Sequence, residues 1–515
     1  MATDADAAVR IDLLDVLDTA HAVAPLDPRR RVFVNRNLNL AGVKFVGFDM
    51  DYTLAIYKKG AIEELAFRLT VENLIASRGY PPEIRQIRYE PERVIRGLVV
   101  DKHRGNIFKM DRYGHVGRAW HGSRQLGREE RRELYRTRKI ELHSGGYAWV
   151  DTLFSLPEVC LYSLLVDWFD ARAPERRPSY EQLYDDTRAA IDEVHADGSL
   201  KSVIQAEPAA YIERDPDLAR TLHRLRSSGK RLFLLTNSYW PYTCAVMRYL
   251  LDGALEGYPS WRTYFDLVVV GARKPEFFAS RSPFLPIDER TGRPGAEPAA
   301  TLDKGRVYQG GNLRDLEQLA GLGGEHVLYV GDHIYGDMLK SKKSSLWRTA
   351  MIVPELEDVL WHQQLFDADH ARAERIEDEL RRLDYEINYY KLLLAEAARR
   401  REQRAASGES SGYGGDTPTA QAARAERAAR CALEQLRAQA RRLRVEKEEI
   451  EQRVDSAANP YWGRLFREGV ETSLFAKQLE EYACIYTSRV SNLIHYSPVQ
   501  YFRSPPVPMP HELGR

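Results

Sequence analysis

The sequence has few cysteines, no net charge and no long apolar run, and each shortage excludes a class of protein. Basic and acidic residues balance at 75 each, so overall charge favours neither nucleic acid nor an anionic membrane as a partner. The cysteines are far apart and show none of the paired spacings that bind zinc or form a redox motif. They are Cys160, Cys244, Cys431 and Cys484.

The same shortages bear on the compartment. The longest apolar run, 159–168, is too short to span a bilayer and is interrupted by Asp167. The N-terminal stretch MATDADAAVRIDLL carries acidic residues where a signal peptide would carry positive charge. We therefore expect a cytoplasmic protein with free thiols that binds neither membrane nor nucleic acid.

From about residue 33 to residue 353, short apolar runs alternate with amphipathic stretches. This pattern predicts an α/β fold, a parallel sheet with crossover helices. Because ligands bind at the carboxyl ends of strands in open sheets, polar residues after the strands are candidates for one crevice. Four apolar runs end in such polar clusters: Val43–Phe48, Leu232–Leu235, Leu267–Val270 and Val327–Val330.

Chain length and pattern predict several parts. About 180 residues separate the first two strands, far more than one crossover needs, so we expect an inserted cap domain. Beyond Pro354, apolar residues recur at spacings of four and three, which predicts an antiparallel helical hairpin. We expect the N-terminal segment and first part of the core at 1–60, a cap mostly within 61–220, and the second part of the core at 221–360. The hairpin is expected at 361–457, with a mobile Gly- and Ser-rich tip near 405–418. An aromatic C-terminal segment at 458–515 is expected to pack on the core or on a partner subunit.

Two aspartates follow the first strand in FDMDYT. Their spacing of two directs the Asp49 and Asp51 carboxylates to one side of the chain. Close carboxylates repel, so one must be protonated or a cation must join them. An ionised carboxylate can attack phosphorus while a protonated one supplies a proton to the leaving oxygen. A hydrated turn capped by side chains would explain the same residues without chemistry.

The other three strand ends carry complementary groups. The Thr-Asn-Ser run at 236–238 opens an expected helix and could hold a phosphate or simply cap the helix. Lys274 could neutralise a phosphate and an attacking carboxylate, or be a solvated surface lysine. Asp332 and Asp337 offer the hard oxygen ligands that Mg²⁺ prefers.

Taken in order, these motifs resemble the four motifs of the haloacid dehalogenase (HAD) superfamily. The flanking segments resemble one branch of it, the cytosolic purine 5′-nucleotidase family, across nearly the whole chain. The resemblance implies a HAD-like (Rossmann-like) core with a cap, a phosphoric monoester hydrolase, and Mg²⁺ as cofactor. The segments that carry it are VFVNRNLNL, FDMDYTLAIY, DTLFSLPE, LTNSYWPYT, ARKPEFF, GDHIYGDMLKSKK and MPHE.

The resemblance also implies a role for each motif residue. Asp49 would be the nucleophile and Asp51 the general acid and base. Mg²⁺ would lie against Asp49, Asp332 and the backbone carbonyl of Asp51. Asp337 would support Lys274 and the metal-bound water. The phosphate-binding residues would be Thr236, Asn237 and Lys274.

The residues expected to bind the nucleoside have two possible explanations. Arg188, Asp192 and His195 share one face of a predicted helix, which usually means a solvated face. The resemblance instead implies that these residues and Lys201 contact the nucleoside.

The base-binding position departs from the family. The family has an aromatic residue and an asparagine after a His-Gly pair, where this sequence has Ser123 and Arg124. The base preference therefore stays open, and Arg124 could stack on a base or bind a second phosphate.

An effector pocket and an assembly are further implications of the resemblance. Glu481 stands where a basic residue is expected, which disfavours a phosphate-rich effector. The family also implies a homo-oligomer, a dimer or a tetramer. The effector-binding candidates are Tyr335, Lys343, Gln478 and Tyr482.

Three hypotheses follow for the function. The first is a Mg²⁺-dependent 5′-nucleotidase for purine monophosphates, with phosphate transfer to another nucleoside as a further activity. The second is a HAD phosphatase for another phosphorylated metabolite. The third is a non-catalytic scaffold that uses the hairpin to hold partners, against which the intact motif residues argue.

Overall fold

The computed structural model describes most of the chain in two compact units. One unit contains the described chain up to Leu360 together with the chain from Phe466, and the other is Trp361–Leu465. Residues 407–417 of the expected mobile tip, and Lys343, lie outside the described residues. Those described are 26–136, 140, 142, 145–172, 178–321, 323–339, 341, 344–406, 418–506, 509 and 512.

A ten-stranded sheet forms the centre of the first unit. Its four middle strands are parallel neighbours and coincide with the four predicted runs. Their side chains are almost all buried, as expected for strands inside a parallel sheet. The order in space is Phe33–Val34, Ile485–Thr487, Arg348–Ile352, Val327–Gly331, Phe45–Phe48, Arg231–Leu235, Leu267–Val270, Val307–Gly310, Phe284–Asp288 and Arg293–Pro294.

Between the first two motif strands the chain forms a second layer, here called the cap. Its helices Ala61–Arg78, Leu156–Arg172 and Tyr180–Ala196 pack against one another. Buried side chains such as Phe108 and Tyr135 fill one face of its antiparallel sheet. That sheet has the order Arg124–Gln125, Val116–His121, Asn106–Met110, Leu98–Asp101 and Tyr147–Trp149.

The remaining helices connect these layers. Many are amphipathic, with apolar residues turned to the core, such as Leu222 in Leu218–Ser227. The further α-helices of the first unit are Arg128–Tyr135, Ser199–Ala206, Pro208–Tyr211, Leu218–Ser227, Trp240–Leu251, Leu313–Ala320 and Leu474–Tyr482, with Leu356–Leu365 at the unit boundary. The 3₁₀ turns are Pro28–Arg30, Leu40–Gly42, Pro82–Gln86, Leu153–Ser155, Trp261–Tyr264, Glu276–Phe278, Gly324–His326 and Val490–His495.

The described part of the C-terminal segment from Phe466 onward belongs to the first unit. Ile485–Thr487 pairs in parallel with Arg348–Ile352 and antiparallel with Phe33–Val34. Two smaller ladders join Arg467–Glu468 to Glu471–Thr472 and Tyr501–Phe502 to Leu38–Asn39. The segment therefore contributes a strand to the central sheet.

The second unit contains a long helical hairpin formed by Asp367–Ala406 and Pro418–Ala458. Its helices are antiparallel, because Asp369 pairs with Arg453 while Arg401 pairs with Glu426. The seam between them is apolar, as the heptad-like pattern predicts. Its buried residues are Ile376, Leu380, Leu383, Ile387, Leu433, Ala440, Leu443, Ile450 and Val454.

Two simple features complete the description. All four cysteines are free. Among the helices that the structure describes, none combines the length and apolar character that crossing a membrane requires.

The seam should carry most of the stability of the hairpin. Ile376 is fully buried, so Ile376→Ala should lower the free energy of unfolding of this unit by about 2–5 kcal/mol. Val445 is 54% exposed on the opposite helix, so Val445→Ala is a matched control with a change of about 0.5 kcal/mol or less. Urea unfolding followed by circular dichroism measures both, and equal effects would contradict this role of the seam.

Candidate active site

A buried lysine joins two carboxylates at the carboxyl edge of the central sheet. Lys274 Nζ lies 2.9 Å from Asp49 Oδ1 and 2.7 Å from Asp337 Oδ1. It also donates to the Tyr329 hydroxyl at 2.8 Å. Because three partners surround the ammonium, Lys274 sets the spacing of Asp49 and Asp337.

A third carboxylate, that of Asp332, completes the cluster. Asp49, Asp332 and Asp337 each offer a carboxylate oxygen, and these atoms lie within 4.8 Å of one another. Asp332 Oδ2 is buried and has no hydrogen-bond partner among the described residues. Hard oxygen ligands suit Mg²⁺, and an unpartnered buried oxygen suits direct ligation. The residues present therefore fit the cation that the resemblance implies.

The backbone of Asp332 is fixed from behind by Arg96, which is fully buried. Arg96 Nη1 donates to the Asp332 carbonyl at 2.9 Å, and Nε and Nη2 donate to Glu355 at 2.7 and 2.5 Å. The guanidinium also lies over the Phe475 ring, 5.0 Å from its centre. A planar, bidentate cation of this kind leaves the Asp332 backbone little freedom.

Burial shifts the proton affinities of the cluster. It raises the pKa of Asp49 to about 7, with the charges of Asp337 and Asp51 adding to the rise and Lys274 opposing it. Burial, together with repulsion from Asp337 and Asp49, raises the pKa of Asp332 well above its usual value. Burial lowers the pKa of Lys274, but Asp337 and Asp49 outweigh it and raise that pKa to about 12. The cluster therefore holds either protons or a cation.

The second aspartate of the first motif is held by two hydroxyls. Tyr57 donates to Asp51 Oδ1 at 2.5 Å, and Ser238 donates to Oδ2 at 2.7 Å. The Tyr57 oxygen lies 2.8 Å from the Tyr242 hydroxyl. Since Tyr57 uses its proton toward Asp51, Tyr242 is the donor in that pair. Both oxygens of Asp51 thus have fixed directions.

The expected phosphate-binding residues differ in position. Asn237 Oδ1 accepts from the Lys274 backbone N–H at 2.6 Å, and Asn237 Nδ2 donates to the Lys274 carbonyl at 2.9 Å. Thr236 is fully buried, and its hydroxyl accepts from the Ser238 N–H at 3.1 Å. Asn237 therefore positions Lys274, while Thr236 orders the turn beside them. Their contact with phosphate stays a prediction.

The fourth motif leaves no room for extra atoms. A Cβ on Gly331 would lie 2.5 Å from Asp337 Oδ2. Asp337 belongs to the helical turn Ile334–Leu339.

His333, next to this turn, lies with Nε2 2.9 Å from Asp151 Oδ2 of the cap. Burial opposes a charged imidazole, but Asp151 raises the pKa of His333 to about 9. An ion pair therefore ties the cap to the fourth motif.

A cavity of about 200 Å³ opens onto this cluster. Its floor is the charged edge of the sheet. Its far wall comes largely from the cap and from the helix Ser199–Ala206. The residues that line it are Asp49, Asp51, Tyr57, Ile62, Thr152, Phe154, His195, Leu200, Lys201, Ile204, Asn237, Ser238, Tyr242, Lys274, Asp332, His333, Gly336 and Asp337.

The far wall offers three kinds of contact. His195 Nδ1 lies 2.8 Å from the Ile191 carbonyl, so Nδ1 carries the proton and Nε2 is an acceptor. Nε2 is buried without a partner in the described chain, and burial lowers the pKa of the ring. Lys201 Nζ lies 5.3 Å from the centre of the Tyr242 ring. The Phe154 ring meets His195 edge-on at 5.7 Å.

Other expected substrate residues have partners elsewhere. Arg188 lies 2.9 Å from Glu158 and 3.2 Å from Asp192. Arg124 makes two contacts of 2.9 Å with Glu130. Among the described residues, the cavity lining does not include Arg188, Asp192 or Arg124. The structure thus brings His195 and Lys201 to the cavity and leaves the other three outside it.

Three of the four expected effector residues, Tyr335, Gln478 and Tyr482, lie in one region. Tyr335 is half-buried on the turn Ile334–Leu339, against which the helix Leu474–Tyr482 packs. That helix carries Gln478 and Tyr482, and Gln478 Oε1 is buried without a partner in the described chain. Effector binding stays a prediction.

Sequence reasoning missed Tyr57, Phe154 and Tyr242, which all line the cavity. Each lies inside a segment that carries the family resemblance, and this was the available signal. Ser123, at the position where the family has an aromatic residue, donates through its N–H to Asp167 at 2.7 Å. The aromatic side chains of the cavity lining are instead those of Tyr57, Phe154 and Tyr242.

Comparison with known proteins gives the family. A profile described as the 5′ nucleotidase family matches residues 32–514. The chain belongs to the 5′ nucleotidase family. This confirms the resemblance inferred from the motifs, and with it an enzyme of the 5′-nucleotidase type.

Curated relatives agree with this assignment. A 5′-nucleotidase domain-containing protein of Dictyostelium discoideum is 29% identical over 488 residues, which cover 93% of this chain and 74% of that protein. The 5′-nucleotidase domain-containing protein 2 of Homo sapiens is 37% identical over 339 residues, 63% of each chain. The match to the same protein of Rattus norvegicus, at 36% identity, spans 59% of its length. The matches therefore span less than two thirds of the two mammalian relatives.

Solved structures show weaker likeness. CbbY from Rhodobacter sphaeroides in complex with phosphate is 15% identical with a TM-score of 0.20, covering 60% of this chain and 86% of that one. A 2-haloacid dehalogenase from Pseudomonas syringae is 14% identical with a TM-score of 0.21, covering 61% and 87%. Such scores add nothing to the family assignment. The strand order itself confirms the predicted α/β fold with a parallel core.

The cluster should bind a divalent cation, and binding should stabilise the fold. At Mg²⁺ about 100-fold above its Kd, the gain should be about 2.7 kcal/mol, seen as a rise in Tm. Because raised carboxyl pKa values let protons compete, the rise should be larger at about pH 8 than at about pH 6. Asp332→Asn should remove most of it, whereas Asp358→Asn, at an exposed ion pair with Lys59, should not. A full response in Asp332→Asn would contradict the site.

Proposed function

We propose that this protein is a Mg²⁺-dependent 5′-nucleotidase that hydrolyses purine nucleoside 5′-monophosphates through a phosphoryl group carried on Asp49. The observation that carries the proposal is the Lys274 ammonium between Asp49 and Asp337, beside Asp332, whose buried Oδ2 has no partner among the described residues. A phosphate that enters the cavity meets a carboxylate nucleophile and a cation at the same edge of the sheet.

The first half of the reaction transfers the phosphoryl group to the protein. A carboxylate oxygen of Asp49 attacks phosphorus, a new O–P bond forms, and the bond to the 5′-oxygen breaks. Asp51, protonated at this stage, gives its proton to the leaving 5′-oxygen, so the nucleoside departs neutral. Lys274 stays charged throughout and balances negative charge on the transferred oxygens.

The second half restores the protein. Asp51, now ionised, takes a proton from water as the water oxygen bonds to phosphorus and the bond to Asp49 breaks. If a nucleoside hydroxyl replaces water, the phosphate passes to that nucleoside, which accounts for the expected transfer activity. Asp49 and Asp332, with the Asp51 carbonyl, would hold Mg²⁺, which supplies charge stabilisation for phosphoryl transfer.

Support for a nucleoside comes from the family and from the far wall of the cavity. Nε2 of His195 accepts a hydrogen bond and so suits a sugar hydroxyl, and Phe154 offers an aromatic face to a base. Lys201 adds a cation that attracts an anionic substrate. A phosphatase for another phosphorylated metabolite is the second candidate, because Arg124, Arg188 and Asp192 are turned to partners outside the cavity.

A substrate panel tests the proposal. Phosphate release should be fastest with IMP and GMP, slower with AMP, and slowest with pyrimidine monophosphates and sugar phosphates. Chelation of Mg²⁺ should abolish release from every substrate. Faster hydrolysis of a sugar phosphate would favour the second candidate, and undiminished rates in chelator would contradict the metal role.

The hydroxyls around Asp51 predict that substitutions of two tyrosines affect kcat to different extents. Tyr57→Phe removes a direct donor to Asp51, so kcat should fall about 10- to 100-fold with little change in KM. Tyr242→Phe is the matched control, since Tyr242 reaches Asp51 through Tyr57, and its kcat should fall less. A wild-type kcat in Tyr57→Phe would show that this hydrogen bond does not matter for turnover.

A further inference from the structure

One face of the first hairpin helix, Asp367–Ala406, carries exposed apolar side chains. Tyr385, Tyr389 and Leu392 are 78%, 57% and 62% exposed. Their spacings of four and three place them on one face of the helix, here called the outer stripe. At about 100° per residue, this face lies opposite the seam residues Leu383 and Ile387.

Charged residues flank the outer stripe in a repeated order. Asp378 and Arg381 precede it as a surface ion pair of 3.0 Å, with side chains 68% and 70% exposed. Glu396 and Arg399 follow it and are also exposed, and Glu396 pairs with Arg400 of the same helix. Surface pairs of this kind are weak and can exchange partners. Four charged residues have spacings from the stripe that put them on the same face of the helix: Asp378, Arg381, Glu396 and Arg399. The face therefore reads acid, base, apolar stripe, acid, base.

This order is complementary to its own reverse. In an antiparallel pair with a two-fold axis between residues 388 and 389, Tyr385 faces Leu392 of a second copy. Arg381 then faces Glu396 of that copy, and Asp378 faces Arg399. The axis repeats each pair, so two apolar contacts and four opposite-charge contacts form along one line.

We propose that the outer stripe docks a second copy of this chain, with the two first hairpin helices antiparallel. A parallel, in-register pair would set Arg381 against Arg381 and Glu396 against Glu396, which repels. From 378 to 399 the face is about 32 Å long and one helix wide. The area that it can bury is therefore small beside that of a stable dimer interface. The contact is therefore weak and depends on protein concentration. It acts in addition to any larger interface between subunits.

Sedimentation velocity of the full chain over a concentration series tests the docking. The average mass of the wild type should rise with concentration, and Leu392→Lys should shift that rise to at least about 10-fold higher concentration. Val445→Lys is the matched control, because it places the same charge on an exposed position of the other hairpin helix, and it should match the wild type. A wild type whose mass is constant, or an unchanged rise in Leu392→Lys, overturns the proposal.

Charge reversal tests the direction of pairing. Arg381→Glu and Glu396→Arg should each weaken association, and the double variant should restore it, because the pair then has exchanged signs. These surface changes leave the helical content measured by circular dichroism unchanged. A double variant that associates no better than the single variants overturns the antiparallel register.

Cross-linking gives an independent readout in a Cys431→Ser background, which removes the exposed native thiol. Oxidation of a mixture of Tyr385→Cys and Leu392→Cys proteins should form disulfide-linked pairs, whereas neither variant alone should. Cross-links within a single variant indicate parallel pairing and contradict the proposal, as does the absence of cross-links in the mixture.

Discussion

Three buried carboxylates lie in one cluster with a single buried lysine, and this charge imbalance constrains the rest of the site. Buried charges without partners cost several kcal/mol, so Asp49, Asp332 and Asp337 cannot all be ionised beside Lys274 alone. Protons or a cation must balance them. The surrounding structure holds the four groups at fixed distances: Asn237 fixes the backbone of Lys274, Arg96 that of Asp332, and Gly331 leaves space for Asp337.

The parallel sheet explains why residues from distant parts of the chain meet. The four central strands run in one direction, so the turns after them fall on one edge and bring Asp49, Asn237, Lys274 and Asp332 together. The cap closes the space above that edge, and the His333–Asp151 ion pair joins the two layers. The result is a cavity whose floor is charged and whose wall carries both apolar and polar side chains.

The sequence allowed the strands and the residues at their ends to be predicted, because apolar runs that stop at polar clusters have one simple explanation in a parallel sheet. Side-chain direction was harder to predict. Arg124 meets Glu130 six residues later, a local partner that no periodic pattern indicates. Tyr57, Phe154 and Tyr242 line the cavity from three separate segments. Which side chains of a segment face a cavity depends on tertiary packing, which local sequence patterns do not show.

Asp49 is proposed to carry the phosphoryl group during turnover. Rapid acid quench of the Mg²⁺-loaded enzyme with IMP, followed by proteolysis and mass spectrometry, tests it most directly. We expect one added phosphoryl group on the peptide that contains Asp49, lost on treatment with hydroxylamine and absent in Asp49→Asn. Turnover of IMP with no phosphorylated peptide, or with the group on another residue, would contradict it.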